Sequence, residues 1–158
     1  DSGAFDKFIL SDGMIGDSLT EAFGKDLNKS FGSLPGSTAK GAGVFTSFAK
    51  AAGIDSSGPY TGESYDAMAL IILASQAVNS AGTSGGAAMA EQVMNIANAP
   101  GIQCHVGKLG DCLKYISGGL EVDYVGAIGV ELTAVGEQMG SYAEQEIIAG
   151  EFTVVGSH

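Results

Sequence analysis

The hydrophobic positions of this chain keep helical time for most of its length and change rhythm only near the C-terminus. Phe8 to Leu10 make a short apolar run that ends at Ser11-Asp12-Gly13, which predicts a buried strand and a turn. In DSLTEAFGKDLN an acidic start precedes Leu19, Phe23 and Leu27, a spacing that predicts a helix. SFGSLPGSTAKGAG reads as a loop, because Gly, Pro and Ser dominate it. Val44, Phe45, Phe48 and Ala49 then share one side of a second helix, which Gly53 stops.

The largest apolar feature is YTGESYDAMALIILASQAVNSAG, residues 60–82. Tyr65, Met68, Ala69 and Ile72 lie on one face, and Ala67, Leu70, Ile71 and Ala74 on another. A helix apolar on nearly every side is expected to be buried. Its entrance is different, since Tyr60, Glu63, Tyr65 and Asp66 crowd one end with polar and aromatic groups that packing alone does not require. A further helix carries Met89, Val93 and Ile96 on one stripe, with Pro100 beyond its end. VGKLGDCLKYISGG predicts a shorter one, closed by Gly118-Gly119. The tail then reads with a period of two: SYAEQEII and EFTVV predict two strands joined at Ala149-Gly150. The expected class is α/β, helix-rich with a β-rich C-terminal tail.

Composition narrows the function. The 158 residues suffice for a real core, and a mean hydropathy of +0.22 argues against disorder. Seven basic residues face eighteen acidic ones, a net charge of −11. That balance argues against nucleic acid and against anionic membrane surfaces, both of which need clustered Lys and Arg. The longest pure apolar run, Ala67 to Ala74, is too short to span a bilayer. Cys104 and Cys112 are the only cysteines. Three arrangements fit them: a disulfide closing HVGKLGD, two free thiols, or a metal site with His105 that lacks a fourth ligand. The disulfide is the expectation, and with it an oxidising compartment.

Catalysis finds little support. His105 adjoins a cysteine and His158 is terminal, so neither suggests a triad. GTSGGAA precedes a helix but lacks the lysine and spacing of a phosphate loop. Asn28-Lys29-Ser30 fits a glycosylation acceptor, a pattern short enough to arise by chance. No enzyme activity, metal or cofactor is expected.

Four blocks in order carry a resemblance: FILSDGM, YTGESYDAMALIILASQAV, KLGDCLKYISGGLEVDYVGAIGVELT and YAEQEIIAGEFTVV. Together they resemble the C-terminal part of the periplasmic substrate-binding proteins of branched-chain amino acid ABC transporters, the type I periplasmic binding fold. The third block is similar to the family's short helix, Gly pair, acidic-Tyr-Gly turn and following strand, and the fourth to its closing hairpin. Members of that family are much longer and have two lobes, so the resemblance implies a C-terminal fragment. About residues 1–118 would be a lobe segment and about 119–158 the crossing and closing strands.

The resemblance implies a ligand-binding cleft, a small-molecule ligand such as an amino acid, a transporter permease as partner, and a periplasmic or otherwise extracytoplasmic location. Asp12 matches the position of an acid that holds the ligand's ammonium; its bland alternative is a turn cap before Gly13. Tyr60 matches an aromatic lining the side-chain pocket, or else packs at a hinge. Glu63 and Tyr65 sit beside it, the first also read as an N-terminal helix charge and the second as core. Two other functions stay open: a ligand-sensing domain of a receptor or regulator, and a self-associating module without ligand. An isolated fragment would expose the apolar helix Ala67 to Val78, which predicts self-association.

Overall fold

The computed structural model describes residues 3–36 and 39–158. Two compact units make up the chain: Asp1–Ser37 together with Gly140–His158, and Thr38–Met139. The protein is mixed α/β, with its strands in two separate sheets.

In the first unit, β1 (Ile9–Leu10), β2 (Phe31–Pro35), β5 (Tyr142–Ile148) and β6 (Glu151–Ser157) form one sheet in the order β1-β2-β5-β6. β1 and β2 are parallel, and the remaining pairs antiparallel. β5 and β6 are the hairpin that the tail predicts, turning at Ala149 and Gly150, both with positive φ. β2 corrects the expectation of a loop there: FGSLP carries Gly, Ser and Pro, yet it is held between two strands. Gly32 and Leu34 alternate inward, and Leu34 lies opposite Ala143. Tertiary pairing overrides weak local propensity at such a site. Ser37 and Thr38, in the same predicted loop, lie outside the described residues. Helix α1 (Asp17–Phe23) ends at Gly24, after which Gly24–Leu27 tighten into a 3₁₀ turn. Leu10, Ile15, Leu34 and Ile147 form the core of this unit, with Leu19, Leu27 and Phe152 against it.

Asn28 and Ser30 are structural here. Asn28 Oδ1 accepts the Gly150 N–H at 2.9 Å, and the buried Ser30 Oγ accepts the Phe8 N–H at 3.1 Å. The sequon-like triplet holds the sheet and the hairpin turn together.

The second unit contains α2 (Lys40–Ala51), α3 (Thr61–Ser80), α4 (Gly86–Ile96), β3 (Ile102–Cys104), α5 (Leu109–Ser117) and β4 (Val122–Tyr124). α2 starts inside the stretch expected to be loop, because Gly41 lets it close on the β4 side: a Cβ at Gly41 would run into the Gly126 carbonyl oxygen. β3 and β4 pair in parallel, Cys104 opposite Tyr124. Neither strand shows in the hydrophobic pattern, since three-residue runs are too short to set a period. The strand expected after the acidic-Tyr-Gly turn is corrected too: Val122–Tyr124 is itself the strand, and a turn follows. Only an isolated Leu132–Gln138 bridge is present further on among the described residues.

α3 packs Ala69, Leu70, Leu73 and Ala74 into the main core against Ile96, Cys104 and Tyr124. It is not buried all round, as its apolar pattern suggests. Met68 is 58% exposed, Ile71 49% and Ile72 36%. Among the described residues no helix is long and apolar enough to cross a membrane.

Candidate functional site

The polar entrance of α3 belongs to a set of contacts at the C-terminal edge of β3 and β4. Open α/β sheets bind ligands outside the carboxyl ends of their strands, so this edge is where a site is sought. Two consecutive residues of α3 organise it. Tyr65 Oη accepts the Gly107 N–H at 3.3 Å, in the loop after β3. Asp66 reaches the loop after β4. Its Oδ1 accepts from Tyr124 Oη at 2.8 Å and from the Ala127 N–H at 2.9 Å; its Oδ2 accepts from the Ala127 and Ile128 N–H groups, each at 2.8 Å.

Asp66 is 1% exposed, and its hydrogen-bond partners are all donors. Burial pushes its carboxyl above the ordinary aspartate value, and the bonds from Ala127, Ile128 and Tyr124 pull the other way. The same burial, with the adjoining carboxylate, keeps the Tyr124 hydroxyl protonated far above the usual tyrosine range. Gly126 completes the fit. It has φ of 61°, and a Cβ there would fall on the Asp66 carboxyl group. With both oxygens accepting from these donors, Asp66 is a latch between α3 and the loop after β4.

An aromatic group backs the latch. The Tyr65 ring lies 5.2 Å from that of Phe45 and 6.0 Å from that of Phe48, both on α2. Phe45 and Ala49 pack with Val106 and Ala127, so the helix and both post-strand loops meet in one small core. Just upstream, Ser57 donates its N–H to Asp55 Oδ1 at 2.9 Å, and this bond, with the Ser57 side chain, lowers the Asp55 carboxyl below its usual value.

The residues singled out from the sequence fall in both units. Tyr60 immediately precedes α3 in a left-handed conformation, φ 62°, and is 36% exposed. Glu63 lies in the first turn of α3, where a negative charge suits the helix dipole. Tyr65 is half-buried in the contacts just described. These three occupy one end of one helix. Asp12 belongs to the other unit, exposed in a 3₁₀ turn, with its Oδ1 accepting the Gly13 N–H at 2.7 Å. Cys104 and Cys112 form a disulfide that joins the end of β3 to α5, with Cα atoms 6.0 Å apart.

Tyr124 was not singled out from the sequence, and Asp66 was noted only among the polar residues crowding the start of the helix, without a role. The available signal was an aspartate one residue inside an otherwise apolar helical face, a placement that demands partners.

No family model, no characterised protein and no solved structure matches the chain. The class that the structure defines is therefore the coarse one: a mixed α/β protein with a buried disulfide.

Proposed function

We propose that this chain serves solute capture, as part of an extracytoplasmic binding protein that holds an amino acid or a similar small molecule for uptake by an ABC transporter. The observation that carries the reading is the Tyr65–Asp66 pair. Adjacent residues at the start of one helix fix the loops following both parallel strands, which prepares a rigid rim where α/β proteins take their ligands. The disulfide supports the location, because such bonds persist in oxidising compartments. The resemblance noted above supplies the ligand class.

In this reading Tyr60, at the start of α3 beside the rim, offers the ligand an apolar face with a polar tip. Isothermal titration of the native gene product with a panel of amino acids tests it. Heat is expected with aliphatic members of the panel. Tyr60→Ala is expected to weaken binding by roughly 1.4 kcal/mol, about tenfold. Absence of heat with every member would sink the reading, and unchanged affinity in the variant would remove Tyr60 from the site.

A second reading, a self-associating module, draws on one observation. Met68, Ile71 and Ile72 form an apolar strip along the outside of α3.

A further inference from the structure

The opposite end of α3 bounds a second feature, distinct from the rim and independent of the function proposed above. A groove of about 740 Å³ runs across the second unit, a volume that suits a small organic molecule. Its walls come from the last turns of three helices. Ala77, Ser80 and the C-cap Ala81 end α3; Asn95 and Ile96 end α4; Ile116 and Gly119 close α5.

Three helix C-termini therefore line one groove. Each is the negative end of its helix dipole, equivalent to roughly −0.5 elementary charge where the terminal carbonyls are uncapped and to less where they are capped. Capping bonds occupy most of the terminal oxygens: Ala77, Val78 and Asn79 of α3, Val93 and Met94 of α4, and Lys114, Tyr115 and Ile116 of α5 each accept at least one. They leave the direction of the dipoles unchanged. Glu121 adds a full negative charge, and it is the one charged side chain among the lining residues. The remaining lining is largely apolar or neutral: Ala77, Ile96 and the half-exposed Leu120 offer hydrocarbon, and Asn95 and Asn98 offer amides.

We infer that this groove binds a small organic cation, a primary ammonium on an apolar body, with the hydrocarbon on Ile96 and Leu120 and the charge toward the helix ends and Glu121. An anion of the same shape meets three negative helix ends and a carboxylate, so the groove discriminates by sign. A neutral analogue keeps the apolar contact and loses the electrostatic one.

Hexylammonium, hexanol and hexanoate, titrated into the full ¹⁵N-labelled chain and followed by amide shifts, separate these contributions. Hexylammonium is expected to move the amides of 80–82, 97–99 and 119–122, and to bind about tenfold more tightly than hexanoate. Glu121→Gln, an exposed substitution, is expected to cut the cation's affinity severalfold and leave hexanol unchanged. Ser80→Trp, which fills the groove from its rim, is expected to abolish binding of both. Equal binding of cation and anion, or of cation and alcohol, would overturn the inference. So would shifts scattered over acidic surface outside the groove, or a Ser80→Trp protein that binds like the parent.

Discussion

Removing the Asp66 carboxylate should unfasten the loop after β4, and the structure gives a size to the loss. Asp66→Ala leaves two buried donors, the Tyr124 hydroxyl and the Ala127 N–H, and the half-buried Ile128 N–H without their acceptor. An orphaned buried donor costs about 1–3 kcal/mol, so with some rehydration the total is about 4 kcal/mol. That is a large share of the ~5–15 kcal/mol that stabilises an ordinary domain. Tyr124→Phe removes one donor and leaves the two backbone bonds, at a cost of about 1 kcal/mol. In the double variant the phenol is no longer orphaned, so its loss should fall short of the sum by about 1–2 kcal/mol. Urea unfolding followed by tyrosine fluorescence is the assay, since Tyr60, Tyr65, Tyr115 and Tyr124 all lie in the second unit. The acidity of Asp66 adds a test of sign. Its folded value is raised, so the native state holds the proton more tightly than the unfolded chain does. Stability from this group is then greatest below the ordinary aspartate value and declines as pH rises through the raised one. The deficit of Asp66→Asn should accordingly shrink between acid and neutral pH. A deficit that grows over that range would mean that the three donors outweigh burial. A loss under 1 kcal/mol for Asp66→Ala, additive with Tyr124→Phe, would refute the latch itself.

Gly126→Ala should destabilise the same unit by about 2 kcal/mol or more, because a side chain there is strained at positive φ and meets the Asp66 carboxyl; an equilibrium melt comparable to the parent would contradict this. Reducing the disulfide, or replacing both cysteines by alanine, should remove about 2.5 kcal/mol on loop-entropy arithmetic for its separation of 8 residues; a denaturation midpoint unmoved by reductant would show that packing alone holds β3 to α5. Ile72→Lys, on the exposed strip of α3, should leave stability within about 0.5 kcal/mol while reducing the apparent mass by light scattering, if that strip draws copies together. A parent chain already monodisperse as a monomer would remove the self-association reading.

Long periodic elements were legible in the sequence, and the short ones were not. The spacing of Met89, Val93 and Ile96 marks α4, and the two-residue rhythm after Ser141 marks the hairpin β5–β6. β3 and β4 each contribute three residues, and their strand character comes from pairing with each other under a cover of helices. β2 was hidden for a related reason: Gly32 and Ser33 weaken its local preference, and β1 and β5 supply it from outside. α3 shows the limit of composition. Its apolar residues extend round the helix, yet the protein covers only the face that carries Ala69, Leu73 and Ala74. A pattern of hydrophobicity reports what a helix could bury, and the neighbours decide how much of it they do.

The entrance of α3 shows why its polar residues are placed as they are. Tyr65 and Asp66 are adjacent, so their side chains leave the helix about 100° apart and reach different neighbours. One takes the loop after β3 and the other the loop after β4. A single turn of one helix thereby sets the spacing of two loops that are distant in sequence. The aspartate must be buried to do this, because its acceptors compete with water at any exposed position. It must also be ringed by donors, since an unmatched carboxylate in that place would cost more than the latch returns. Tyr124 and the left-handed Gly126 meet the second condition. Their positions follow from β4 being a strand whose last residue faces inward and whose chain then turns back over α3. The polar start of this apolar helix is the joint on which the rim of the second unit is built.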